Sequence, residues 1–217
     1  MPFTVPANPK IYHITHTDNL AGIVAAGCLW SDRARIDRGL ACSLVGISRI
    51  KQRRLEEIEV DCHAGTKVGE YVPFYFCPRS IMLYILHMGN SSDIAYRGGQ
   101  APIVHLQADL NAVIAWAKEN DVRWACSDRN AGAYVVKFAK RRADLTMVNW
   151  PAVANAIFRD TMVKEGKQAE FLLYESFPWH LVEAIGVQNQ QIRSQVQWAL
   201  RGVEHQPPMS VETTWYY

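Results

Sequence analysis

Runs that favour β-structure recur along this chain, but each is short and the gaps between them are uneven. "KIYHIT", "YVPFYFCPRS", "PIVHLQAD", "VRWACSD", "KQAEFLLYESFPW", "LVEAIGV" and "SVETTWYY" combine β-branched and aromatic residues between turn-forming stretches. A regular strand-helix alternation would build a parallel sheet; this irregular order predicts an α+β fold around a largely antiparallel sheet. In "KIYHIT", Tyr12 and Ile14 oppose Ile11, His13 and Thr15. Pro73, lacking an N–H, predicts that "YVPFYFCPRS" is an edge strand or follows a bulge. "CSLVGIS" reads as a short buried strand ahead of the basic segment "RIKQRRLEEIEV".

Helical signals fill the intervals. "NLAGIVAAG" is expected to be capped by Thr17 or Asp18 and to end at Gly27, and Ser80 to cap "IMLYILHMG". Further helices are expected at "NAVIAWAKEN", through "YVVKFAKRR" and at "QQIRSQVQWALRG". No repeat or Pro/Gly-rich linker divides the 217 residues, so a single domain over 1–217 is expected. Five scattered cysteines with no C-x-x-C pair read as free thiols in a reducing compartment. "MPFTVPANPK" has no apolar core of a signal peptide, and no stretch approaches the roughly 20 apolar residues that span a bilayer. A cytoplasmic monomer without a membrane segment is the expectation.

The formal charge of +2 excludes an overall cationic nucleic-acid sponge, so local clusters carry the electrostatics. The chain contains no G-x-G-x-x-G, no P-loop, no H-E-x-x-H and no G-x-S-x-G. What stands out is Glu170. As a strand, "KQAEFLLYESFPW" sets Gln168, Glu170, Leu172 and Tyr174 on one face, and Ala169, Phe171 and Leu173 on the other. That carboxylate is either the exposed start of a strand or a group held in a cleft for chemistry. His13 and Thr15 share a strand face and either meet water or grip a ligand. Arg53 and Arg54 belong either to a solvated helical face balanced by Glu56, Glu57 and Glu59 or to an anion clamp. Tyr71, Phe74, Tyr75 and Phe76 form either an aromatic core strand or, beside Arg79, a stacking surface.

Taken in order, "IYHITHTDNLAGI", "RIKQRR", "GEYVPFYFCPRSIMLY", "CSDRN", "KQAEFL" with "FPW", and the terminal "WYY" resemble the DarT family of bacterial DNA ADP-ribosyltransferase toxins over essentially the whole chain. The resemblance implies a compact ADP-ribosyltransferase fold with NAD+ bound in a cleft of a split sheet. It implies transfer of ADP-ribose to a base of single-stranded DNA, typically thymidine, with loss of nicotinamide, and neutralisation by a macrodomain antitoxin like DarG. No metal is implied. On the same basis His13 and Thr15 hold the nicotinamide end, and Gly22 and Leu29 shape that pocket. Arg54 and Glu170 are the catalytic pair, Tyr71, Phe74 and Tyr75 help to build the NAD+ site, and Arg79, Asp128 and Arg129 lie along the DNA path. Two departures fall on that path: Arg49 and Lys51 add charge to "RIKQRR", and Asn130 stands where a histidine is expected.

These assignments imply that Glu170 steadies positive charge on the ribose and that Arg54, cationic at any accessible pH, holds pyrophosphate or a developing negative charge on the base. Glu170→Ala is expected to abolish transfer and leave the fold intact. Transfer to guanine, RNA or protein, and a non-catalytic nucleic-acid-binding module, are the rival readings.

Overall fold

A computed structural model describes residues 2–217. The strands are β1 (Lys10–His16), β2 (Cys28–Trp30), β3 (Tyr71–Tyr75), β4 (Ile103–Asp109), β5 (Trp124–Ser127), β6 (Phe138–Ala139), β7 (Glu170–Tyr174), β8 (Ser176–Pro178), β9 (Ala184–Val187) and β10 (Met209–Val211). Eight of them form one sheet in the order β10-β9-β4-β1-β3-β7-β5-β6, and β2 pairs with β8. Every pairing is antiparallel except β10 with β9, as the uneven strand-helix order predicts. The helices are α1 (Leu20–Ala26), α2 (Asp32–Asp37), α3 (Ser48–Glu56), α4 (Ile81–Met88), α5 (Leu110–Glu119), α6 (Trp150–Ala154), α7 (Thr161–Gly166) and α8 (Gln190–Ala199).

The sheet is split at its centre. β1 matches β4 from Lys10↔Asp109 to His16↔Ile103, whereas its only register with β3 is Tyr12↔Tyr75. Pro73 sits where the two strands part and pairs with Leu172 on its other side. The strand is therefore interior rather than at an edge, and its proline is tolerated because no ladder partner faces it across the split. Both faces of β7 are covered: Phe171 and Leu173 enter the main core, while Leu172 joins Val60, Val68 and Tyr71 in a second cluster. Each such fully buried side chain stabilises the fold by about 1.5–3 kcal/mol.

Four local expectations need correcting. "CSLVGIS" is an irregular loop up to Ile47, because its apolar residues line a cleft instead of pairing in a sheet. "YVVKFAKRR" yields β6 and a 3₁₀ turn at Arg142–Met147, not a helix, since Cys126↔Ala139 pairing captures its backbone. Neither Thr17 nor Asp18 caps α1: a 3₁₀ turn at Thr17–Asn19 intervenes, with His16 Nδ1 accepting the Asp18 N–H. The last strand stops at Val211, and "TTW" turns so that Trp215 and Tyr216 pack on the sheet. The expected caps at Gly27, with φ 68°, and at Ser80 are present.

Candidate active site

The split opens into a cleft of about 1040 Å³, at the upper end of the roughly 300–1,000 Å³ usual for small-molecule sites. β1 contributes His13 and Thr15, β2 Leu29, α1 Gly22, β3 Tyr71 and Tyr75, and α3 Ile50, Lys51 and Arg54. Asn130 and Gln168 complete the inner wall, and the loop from Leu40 to Ile47 closes the outer one.

Glu170 is only 1% exposed, so it is not the solvent-facing start of a strand. Its Oε2 accepts from Arg54 Nη2 at 2.8 Å, and its Oε1 accepts from Arg54 Nη1 at 3.2 Å and from the Ala131 N–H at 2.9 Å. The Ser127 hydroxyl accepts the Glu170 N–H at 2.9 Å and donates to the Arg129 carbonyl at 2.6 Å, fixing the strand end and the following loop together. Burial opposes the charge on Arg54, but Glu170 outweighs it and holds the guanidinium pKa above its ordinary value. Tyr75, opposite Glu170 in the ladder, is pushed up by burial and then by the carboxylate, so its hydroxyl stays protonated. Arg54 lines the cleft while Glu170 does not, which puts the arginine on the cleft side of the pair.

His13 Nδ1 lies 2.8 Å from the Pro73 carbonyl, which can only accept, so Nδ1 carries the proton and Nε2 of the neutral ring is an acceptor. Burial lowers its pKa and keeps the ring neutral. The Thr15 hydroxyl accepts from Asn19 Nδ2 at 3.0 Å and retains its own proton to donate. Asn19 also donates to the Ser43 carbonyl at 3.0 Å and accepts the Ser43 N–H at 2.7 Å, pinning the outer loop to α1. At Gly22 an added Cβ would meet nothing within 4 Å, so that glycine leaves free space on the cleft side.

Several expected contributors stand elsewhere. Phe74 is core: its ring packs 4.5 Å from Phe177 and 5.5 Å from His13, supporting the histidine from behind. Tyr71 forms wall only, its hydroxyl bound to Thr66 Oγ1 at 2.9 Å. Lys51, expected on a DNA path, faces the cleft and pairs with Asp32 at 3.0 Å, because it shares a helix face with Ile47, Ile50 and Arg54. Arg49 is exposed and outside the cleft. Arg79 stacks on Tyr217 at 4.3 Å beside a separate hollow of about 380 Å³ lined by Trp150 and Lys167, away from Asp128 and Arg129. Asp128 Oδ1 accepts the Lys137 N–H, and Arg129 bridges Asp128 and Glu165. Sequence reasoning misses the Ala131 amide, Ser127 and Asn19. A backbone donor has no side-chain signature, but Asn19 had one, as an amide entering a helix after a polar strand face. Among the described residues no group of three or more His, Cys, Asp or Glu is placed to hold a metal.

The parted central strands thus enclose a cleft of dinucleotide size, with Arg54 on its wall and Glu170 buried behind it. The family model described as "ssDNA thymidine ADP-ribosyltransferase, DarT" matches residues 12–217, and the chain belongs to the DarT family. A DNA ADP-ribosyl transferase of Thermus aquaticus is 36% identical over 216 residues, covering 98% of this chain and 90% of that protein. Thermus sp. 2.9 DarT in complex with ADP-ribosylated ssDNA matches with a TM-score of 0.89 at 32% identity, with 100% of both chains covered. The same protein in complex with NAD+ matches with a TM-score of 0.79 at 30% identity, over 99% of this chain and 100% of that one.

Proposed function

We propose that this protein transfers ADP-ribose from NAD+ to a thymine of single-stranded DNA, and that Glu170 and Arg54 are its catalytic pair. The carrying observation is the bidentate Arg54–Glu170 contact, buried at the head of a cleft large enough for a dinucleotide. NAD+ supplies the ADP-ribosyl group and nicotinamide as leaving group. Glu170 steadies the positive charge that develops on the ribose carbon, and the Ala131 amide and Ser127 hold it in place. Arg54, kept cationic, faces the pyrophosphate or the negative charge growing on the base as N3 loses its proton. His13 Nε2 accepts from, and the Thr15 hydroxyl donates to, the nicotinamide end, while Gly22, Leu29, Lys51, Tyr71 and Tyr75 shape the wall. Asn130 and the Asp128–Arg129 segment, next to Glu170, meet the acceptor strand, with Arg49 and Arg79 as outlying phosphate contacts. A single strand avoids the few kcal/mol needed to extrude a paired base.

We further read residues 1–217 as one catalytic domain acting as a cytoplasmic monomer and restrained by a macrodomain antitoxin. The family match over residues 12–217 and one sheet whose strands run from Lys10 to Val211 support the single domain. The test is incubation with NAD+ and a random-sequence oligonucleotide, read by mass spectrometry. One ADP-ribose on thymidine in the wild type, and none with Glu170→Gln, is expected. Modification confined to guanine, RNA or protein would overturn the acceptor, and a fully active Glu170→Gln would overturn the site.

A further inference from the structure

Beside the catalytic pair stands an aromatic ring with no packing role. Tyr134 is 89% exposed, more than any other large apolar side chain among the described residues, and Val135 beside it is 74% exposed. Yet one face of the ring is covered, because the Arg53 guanidinium lies 4.0 Å from its centroid. Arg53 is itself held by the Gly132 carbonyl and by Glu57, each at 3.3 Å. The ring is thus backed by a fixed cation on one side and bare on the other. Its location is specific: Arg54, the next residue of α3, grips Glu170, and the loop that carries Tyr134 also supplies the Ala131 amide to Glu170 and Asn130 to the cleft. Arg49, one turn earlier on the helix, adds exposed positive charge.

An acceptor base presented to the ribose must leave its stack, and its neighbour loses a stacking partner in doing so. A bare aromatic face with a cation behind it replaces that partner whatever the base, while the nearby arginines attract the phosphates. We propose that Tyr134, backed by Arg53, is the stacking platform for a nucleotide adjacent to the modified base. This inference rests on the single-stranded DNA reading and adds to it a subsite outside the NAD+ cleft.

The test compares wild type, Tyr134→Ala, Tyr134→Phe and Arg53→Ala on a thymidine-containing oligonucleotide carrying an abasic site at each position in turn. With the intact strand, Tyr134→Ala is expected to raise the oligonucleotide KM by about tenfold or more, with kcat at saturating strand largely kept. Tyr134→Phe should stay near wild type, and Arg53→Ala should fall between. One abasic position beside the target should penalise the wild type and leave Tyr134→Ala indifferent. An unchanged KM in Tyr134→Ala, or a wild-type abasic profile with no position-specific penalty, would overturn the platform alone. A wild type that modifies no DNA would overturn this inference and the acceptor reading together.

Discussion

Arg54 and Arg53 are neighbours in sequence with the same chemistry, and the burial of their partners gives them different tasks. The two arginine side chains are similarly buried, at 13% and 18% exposed, but Glu170 is 1% exposed whereas Glu57 opens to solvent at 63%. Removing one partner of a buried pair strands the other charge, so Arg54→Ala should lose roughly 3–5 kcal/mol of stability along with all transfer activity. Arg53→Ala should lose no more than about 1 kcal/mol from its exposed ion pair and should act through strand binding. Urea unfolding and initial rates measure both effects, and equal losses would contradict the division. The same logic corrects the expectation that Glu170→Ala leaves the fold untouched: it would leave the guanidinium buried without its carboxylate. Glu170→Gln, which keeps an acceptor for the Ala131 amide, is the cleaner variant.

Elements become functional here through the faces they present. α3 turns Ile47, Ile50, Lys51 and Arg54 to the cleft at helical spacing, and leaves Arg53 to the Tyr134 loop. β3 breaks its ladder with β1 at a proline, and the freed Pro73 carbonyl orients His13. The loop from Leu40 to Ile47 has no regular structure and depends on Asn19 for its position. Asn19→Ala deletes three hydrogen bonds, each worth about 0.5–1.5 kcal/mol, and should free that loop. The expected result is a several-fold higher KM for NAD+ and faster amide exchange at residues 41–46. Wild-type exchange in that segment would show that other contacts hold it.

Across the molecule, the C-terminal "WYY" is a structural lock, not part of the cleft. Tyr216 donates to the Ile103 carbonyl at 2.7 Å, and an added Cβ on Gly186 would overlap the Trp215 ring. Both rings also enclose His105, which is fully buried and bonded through Nε2 to the Pro78 carbonyl. Burial lowers its pKa from 6.5 to about 4. The unfolded chain therefore takes up this proton first as pH falls, so stability is complete above pH 6.5 and declines towards pH 4, by about 3 kcal/mol for this group. His13 and His63, also lowered by burial, act in the same direction. Asp109, lowered through its hydrogen bonds to Ala112 and Lys10 against the effect of burial, weakens the fold only further into acid. Urea unfolding at stepped pH should show this slope, and His105→Gln should flatten it; an unaltered slope would place the titration elsewhere.

The sequence by itself determined the fold class, most strands, the caps at Gly27 and Ser80, and the anomaly of Glu170 in an apolar run. Those features follow from local periodicity, capping chemistry and a single misplaced charge, all of which act over a few neighbouring positions, whereas His13 and Arg54 stood out only through the family resemblance. Only the tertiary structure decided that β3 is interior, that Lys51 faces the cleft while Arg79 lies in another hollow, and that Phe74 belongs to the core. It also decided that Ala131, Ser127 and Asn19 hold the site together. Those outcomes depend on contacts such as Arg54 with Glu170, 116 positions apart, where burial and pairing rather than neighbouring residues set what each side chain meets.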